Sequence, residues 1–310
     1  MIDLTRLQAF VYAAESLSFS EAARQLHLTQ PTVSHHIKAL EKALSVELFE
    51  RSGHTLKLTE GGRLLLPFAQ KLIHQAIEVQ EMMASLQQDI VGHLRIACST
   101  TAGKYILPQL AARFCQRFPG INVSILACRP LHVIPQLLEG EANLAVVSSY
   151  DLCGSGFECQ EFFKDTITLI VPADHPWARR SSVEPADLLD EPMLIREATS
   201  GTRRVMLTEL AKHDIGLNDL DLFLELGNAE AITRTVEAGF GVSFISTLAA
   251  DWALRLGRVV SVPVVDFDLQ RTIFMARREL EAPNRAQEAF WNFVHDPSNA
   301  DLLRLASRQA

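Results

Sequence analysis

Apolar positions between residues 19 and 58 fall into two short helical blocks and a pair of strands. In the first block Ala22, Ala23 and Leu26 share one face, with Ser20 as the expected N-cap and two alanines permitting close helix approach. His27, Leu28 and Thr29 then redirect the chain. Thr29 is placed to cap a second helix. Pro31 sits in its first turn, where a missing N–H costs little, and Val33, Ile37, Leu40 and Leu44 form its apolar stripe. Further on, Leu48-Phe49 and Leu56-Leu58 flank a turn at Gly53, as the strands of a hairpin do. The polar positions left over are Gln30, Thr32, Ser34, His35 and Lys38 on the second helix and Arg51, His54 and Lys57 in the hairpin. This is the pattern of a helix-turn-helix followed by a β-wing. In such modules the amino-terminal end of the second helix enters the major groove, so Gln30, Pro31, Thr32, Ser34, His35 and Lys38 are the candidates to face bases. Arg51, His54 and Lys57 are the candidates to rest on phosphate, and double-stranded DNA is the expected partner. The competing reading is a small amphipathic helical domain with a solvated face. Two caps, a turn, a first-turn proline and a basic hairpin together count against it.

From Thr59 to about Gln88 the pattern is again helical, interrupted only by Pro67. Leu65, Ala69, Leu72, Ala76, Val79, Met83 and Leu86 recur at three- and four-residue steps and require a partner surface, either the chain's own carboxy-terminal portion or a second subunit. Gln87 to Gly92 reads as a hinge. Beyond it short apolar runs alternate with amphipathic helices: LRIACST, ILPQLAARFCQRFPG, NVSILAC, a helix ending in LLEGE, and NLAVVSS. A second series follows, with TITLIVP, MLIRE, a helix after SGTRR, LFLELGN, a helix from Ala229 to Ala238, GVSFIS and a helix from Leu248. The chain then returns through TIFMARR to a last helix near Ala286 to Val294. These are βαβ units, for which a mainly parallel sheet is expected.

The run from Leu4 to Gly62, with LQAF, SFSEAARQL, TQPTVSHHIKALEKAL, LFER and LTEGG in this order, resembles the amino-terminal domain of LysR-type transcriptional regulators, and the layout of the whole chain is similar to that family. Three positions depart from the family pattern: Ser45 where Gly is usual, His54 where a second wing arginine is common, and Gly61 where Ala is common. A histidine near its ordinary pKa is only partly charged, which implies a weaker phosphate contact at position 54. The fold implied is α/β with an all-α, winged amino-terminal domain. It comprises a winged helix-turn-helix over 1–58, a linker and dimerisation helix over 59–90, and a bilobal, periplasmic-binding-protein-like effector domain over 91–310. Lobe I covers about 91–163 and 268–295, and lobe II about 164–267. The resemblance also implies a homodimer paired through the linker helix on a palindromic site, assembly to a homotetramer, and RNA polymerase as a further contact.

In open α/β sheets, ligands sit where strands end beside helix amino termini. Three hydroxyl-rich segments fall at such places: Ser99-Thr100-Thr101, Ser148-Ser149 and Ser200-Gly201-Thr202. They are also similar to effector-contacting positions in LysR-type proteins. Hydroxyls and unpaired N–H groups at helix starts suit a small inorganic oxyanion or carboxylate, although Ser and Thr cap helices everywhere. Arg196 adds charge near the same loop, unless it pairs with Glu197 or Glu230, and Arg203 and Arg204 lie close by. Asn228 is most simply an N-cap. The combination of STTAGKYILP with REATSGTRR is similar to regulators of inorganic sulfur or carbon assimilation, which suggests sulfate, sulfite, nitrite or a small organic acid. A DNA-binding architectural protein without a ligand is the other reading.

Net charge is −8, and it is unevenly spread. Residues 1–63 carry seven Lys/Arg and seven Asp/Glu, whereas the remainder carries twenty-two against thirty, so the acid is kept off the reading head. No stretch approaches twenty apolar residues, and MIDLTRLQ is not a signal sequence, so a cytoplasmic protein without a membrane partner is expected. The five cysteines, Cys98, Cys115, Cys128, Cys153 and Cys159, show no metal-ligand spacing and read as free thiols, with Cys153 and Cys159 alone close enough for a redox role. GFG at 239–241 follows a helix and precedes a strand, the reverse of a phosphate-cradling loop. No GxSxG or HExxH is present, so neither catalysis nor a cofactor is expected. The last fifteen residues read as a polar turn and a weak helix that either frays or adds a subunit contact.

Overall fold

The computed structural model describes residues 2–52, 55–85, 90–98, 100–148, 156–279 and 284–305. They form two units, 1–88 with 139–141, and 89–138 with 142–310.

The first unit begins with α1 (Leu4–Ser16), α2 (Phe19–Gln25) and α3 (Gln30–Leu44), continues through a hairpin of β1 (Phe49–Ser52) and β2 (Thr55–Leu58), and ends in α4 (Glu60–Ser85). Its core gathers Leu7, Phe10, Ala22, Val33, Ile37, Leu40, Leu48 and Phe49. The cap of α2 is Ser18 rather than Ser20: the Ser18 hydroxyl accepts the Glu21 N–H at 3.2 Å. Helix entry two residues early brings Phe19 edge-on to Phe49, with ring centroids 5.3 Å apart. His27 turns the chain in a left-handed conformation (φ 54°), and Thr29 caps α3, with Pro31 in its first turn. Ser45, the first departure from the family pattern, ends α3 at φ 56°, a conformation that costs an L-residue with a Cβ more than glycine. Gly61 has its own reason: a Cβ there would lie 2.4 Å from Val46 Cγ1.

Helix α4 runs through Pro67 without a break. Its apolar stripe divides. Leu65, Leu66, Ala69 and Ile73 pack onto the core of the unit, whereas Leu64, Phe68, Leu72, Ile77, Val79 and Met83 are exposed. Leu86 and hinge residues 87–89 lie outside the described residues.

In the second unit the first lobe holds β3 (Gly92–Cys98), α5 (Thr100–Tyr105), α6 (Leu107–Arg117), β4 (Ile121–Ala127), α7 (Pro130–Glu139) and β5 (Leu144–Val147). Strand β6 (Phe157–Pro172) then leads into the second lobe, with β7 (Met193–Arg196), α8 (Gly201–Ala211), β8 (Leu222–Leu226), α9 (Ala229–Glu237), β9 (Ser243–Ser246), α10 (Thr247–Arg255) and β10 (Val259–Val262). The chain returns by β11 (Gln270–Arg278) to α11 (Arg285–Phe293) and α12 (Ala300–Leu305). The main sheet has seven strands in the order β10-β6-β11-β5-β3-β4, with β9 also on β6, and β7 pairs separately with β8. It is mixed rather than mainly parallel. Among the described strands only β3 with β4 and β5, and β7 with β8, run parallel. The crossing strands β6 and β11 enter antiparallel, because one carries the chain out of the first lobe and the other brings it back. Strand β6 is also longer than the TITLIVP run suggested: its first half is partly exposed and pairs with β11, and its second half is continuously buried.

Each lobe has its own core, one built on Leu94, Ile96, Phe114, Phe162, Met275 and Phe290, the other on Leu169, Val171, Trp177, Met193, Leu210 and Phe244. The carboxy-terminal segment is tied down as far as Leu305. Leu302 is buried, Asn299 donates to the Phe293 carbonyl at 2.7 Å, and Arg113 and Arg117 pair with Asp301 (2.6 Å) and Asp296 (2.7 Å). Replacing Ser45 by glycine should therefore raise the stability of the first unit by about 1 kcal/mol, through relief of the left-handed penalty. Denaturant unfolding of the full chain, followed by helical circular dichroism, measures it.

Candidate functional site

On α3 Gln30, Pro31, His35 and Lys38 are exposed, and Thr32 and Ser34 half-buried, because Val33, Ile37 and Leu40 take the opposite face into the core. The Thr32 hydroxyl is engaged with that of Thr29 at 2.8 Å. Lys57 is exposed on β2 opposite Glu50, and Arg51 lies on β1 opposite Leu56, while His54 lies outside the described residues. Lys38 and Lys57 form no ion pair among the described residues, so both charges are free for phosphate. Glu41 fixes the wing to the helix. Its Oε1 accepts the N–H of Leu48 (2.8 Å) and of Phe49 (3.3 Å), so one carboxylate on α3 sets where β1 begins.

In the second unit Ser200 caps α8, its hydroxyl accepting the Thr202 N–H at 3.2 Å. Thr202 is 1% exposed, and its Oγ1 is buried without a hydrogen-bond partner among the described residues. Ser148, at the end of β5, comes against the start of this helix: a Cβ on Gly201 would lie 2.6 Å from Ser148 Oγ and 2.7 Å from Arg271 Nη1. Any larger residue at position 201 would displace the Ser148 hydroxyl and the Arg271 guanidinium. Thr100 and Thr101 open α5, whereas Ser99 and Ser149 lie outside the described residues. Of the nearby arginines, Arg196 is buried in a two-pronged pair with Glu197 (2.8 and 2.9 Å), and Arg203 pairs with Glu225 at 2.6 Å. Arg204 is exposed, donates to the Ser148 carbonyl at 3.1 Å and has no ion pair among the described residues.

Sequence reasoning missed three features of this region. Asp165, fully buried on β6, pairs with Arg271 on β11 and accepts the Ser246 hydroxyl at 2.6 Å. Glu230 pairs with Lys104 (2.6 Å) and accepts the Tyr105 hydroxyl (2.9 Å), and the Lys104 contact leads in holding its carboxyl below the ordinary range. Two cavities of about 430 and 250 Å³ adjoin Ala127, the larger lined by α5, the start of α6, β4 and the Asn228–Glu230 turn. Charges set inside apolar strand runs, Asp165 in FFKDTITLIV and Arg271 in LQRTIF, were the available signal. Asn228 caps α9 as expected, its Oδ1 accepting from Glu230 and Ala231.

Cys98, Cys115 and Cys128 are free, and burial pushes the Cys98 thiol up to about 12, so it is inert. Cys159 departs from the expectation of free thiols, since it is disulfide-bonded; Cys153 lies outside the described residues. Among the described residues no group of His, Cys, Asp or Glu could hold a metal, and no helix is long and apolar enough to cross a membrane.

A capped helix-turn-helix with a basic wing, joined to two α/β lobes with helix starts and cavities between them, defines a DNA-binding protein with a ligand-binding portion. Residues 4–63 match the family described as bacterial regulatory helix-turn-helix protein, lysR family, and residues 87–297 match the LysR substrate binding domain. An uncharacterised HTH-type transcriptional regulator of Methanocaldococcus jannaschii is 32% identical over 94% of this chain and 98% of its own. The crystal structure of CbnR, a LysR family transcriptional regulator, superposes with a TM-score of 0.71 at 20% identity over 99% of this chain and 100% of that one. The regulatory domain of Synechocystis PCC6803 CcmR, solved in complex with 2-PG, has a TM-score of 0.59 at 25% identity, covering 70% of this chain and 99% of that one. The chain belongs to the LysR family of transcriptional regulators. It is a DNA-binding regulator and not an enzyme.

Replacing Glu41 by Ala should cost about 1–3 kcal/mol, because two buried N–H groups lose their acceptor, and should weaken DNA binding with α3 itself intact. Glu41→Gln, which retains an acceptor oxygen, should recover most of both, as read by denaturant unfolding and DNA titration.

Proposed function

We propose that this regulator reads a palindromic promoter site with Gln30, Pro31, Thr32, Ser34, His35 and Lys38, while Arg51, His54 and Lys57 hold phosphate. The exposed apolar face of α4, with Leu64, Phe68, Leu72, Val79 and Met83, supports pairing with the same helix of a second subunit, since a lone helix does not leave such a face in water. Two dimers then form a homotetramer in the cytoplasm, where bound DNA brings it beside RNA polymerase.

The regulated signal in this reading is a small anion, carboxylate or oxyanion, held between the lobes by Ser99, Thr100, Thr101, Ser148, Ser149, Ser200, Gly201 and Thr202. Arg196 anchors the loop that carries three of these residues: it is consumed by Glu197, and its carbonyl takes Arg203 at 3.1 Å. The observation that carries the proposal is the buried Thr202 Oγ1 at the start of α8, without a hydrogen-bond partner among the described residues and one residue from Gly201, which faces Ser148 Oγ. The 2-phosphoglycolate bound to CcmR has the same chemistry and is the first probe to try.

Lys57→Ala should weaken binding to every DNA sequence alike and lower the salt slope by about 1, whereas Gln30→Ala should change the preference among sites by ~1–3 kcal/mol. Equal losses on all sequences for both variants would contradict this division of roles. For the cleft, the probe should raise the melting temperature of the full chain, and Thr202→Val should abolish that rise while keeping the fold. Unchanged stabilisation of Thr202→Val would remove the anion from this site.

A further inference from the structure

The cleft reading supplies hydroxyls and a helix amino terminus but no buried charge, since Glu197 and Glu225 neutralise Arg196 and Arg203. Arg271 remains. Its side chain is 8% exposed and lies on β11 directly opposite Asp165 of β6, where the two strands cross between the lobes. Asp165 Oδ2 accepts from Nε at 2.9 Å and from Nη2 at 2.7 Å, and Ser246 satisfies Asp165 Oδ1. The third nitrogen, Nη1, has no hydrogen-bond partner among the described residues, and it is the atom that meets the open side of Gly201 beside Ser148 Oγ.

The Oγ1 of Thr202, the residue that follows Gly201, is likewise buried without a hydrogen-bond partner among the described residues. Buried polar groups are ordinarily satisfied, so an unmet hydroxyl one residue from the glycine that faces an unused guanidinium nitrogen marks a place suited to an oxyanion. A guanidinium is a rigid fork, and two of its nitrogens can hold a carboxylate while the third serves another anion.

We infer that Arg271 is the charged anchor of the effector site, its Nη1 and Thr202 Oγ1 receiving one oxyanion group, carboxylate or phosphate, while Nε and Nη2 stay on Asp165. The inference rests on the cleft reading above. It makes Gly201 a specificity residue, since any Cβ would occupy the place where the oxyanion meets Nη1. It also makes Asp165 a built-in competitor: by cancelling most of the Arg271 charge it keeps affinity modest and the ligand exchangeable. The ligand then bonds directly to a residue of the crossing strands, so occupancy bears on the hinge rather than on a remote wall of the cleft.

The test titrates the full-length protein with 2-phosphoglycolate, inorganic phosphate and glycolate up to about 1 mM and reads the melting temperature, which responds to anything that binds the native state alone. The wild type should be stabilised by at least one probe. Phosphate alone or glycolate alone then identifies which end of the molecule the fork holds. Arg271→Lys keeps a cation against Asp165 but lacks the third nitrogen, and should weaken that probe about tenfold or more, while Asp165→Asn should tighten it. Should Arg271→Lys fail to fold, the neutral pair Asp165→Asn with Arg271→Gln should show the same loss. Loss in Thr202→Val with wild-type affinity in the Arg271 variant overturns the Arg271 assignment and leaves the cleft reading standing. No stabilisation by any probe, or stabilisation indifferent to both positions, overturns both.

Discussion

Lobe II is joined to lobe I by two adjacent antiparallel strands, β6 out and β11 back, and at their crossing a buried carboxylate faces a nearly buried guanidinium. Everything in the cleft depends on this crossing. A buried ion pair of this kind gives little net stability, because desolvation of both charges offsets their attraction, but loss of one partner strands the other at about 3–5 kcal/mol. The pair therefore acts as a constraint more than as a source of stability. It fixes the register of β6 on β11, ties the end of β9 through Ser246, and places Arg271 Nη1 against the start of α8, which Gly201 allows to come close.

The amino-terminal unit follows the opposite logic, with surface groups set by a small apolar core and by caps. Ser18, Thr29 and Glu41 each satisfy backbone N–H groups that would otherwise be orphaned, and together they set where α2, α3 and β1 begin. Once those starts are fixed, Val33, Ile37 and Leu40 turn the remaining α3 positions outward. The unfinished surface is on α4, where Leu64, Phe68, Leu72 and Met83 are exposed. In the proposed dimer, that face meets the same helix of a second subunit.

Local signals carried most of the fold. The caps at Thr29 and Asn228, the turn at His27, the apolar stripe of α4 and the alternation of apolar runs with amphipathic helices were legible, because each depends on neighbours within a few residues. Ser20 misled because two serines stood near the helix start, and the packing of Phe19 on Phe49, distant in sequence, chose between them. The mixed sheet was missed for a similar reason: alternation of strands and helices says nothing about which strand re-enters the first lobe, and β6 and β11 pair across more than a hundred residues. At the cleft the hydroxyl segments were visible as helix starts. The ion pair on the crossing strands was not, since Asp165 and Arg271 become partners only when β6 and β11 are in register, and a single charge in an apolar strand names no partner.

Crystals of the full chain grown with 2-phosphoglycolate test the account most directly. It predicts one oxyanion group between Thr202 Oγ1, Ser148 and Arg271 Nη1, with Asp165 still on Nε and Nη2. An anion bound on Lys104 in the 430 Å³ cavity, or a cleft left without ligand at saturating concentration, would contradict it.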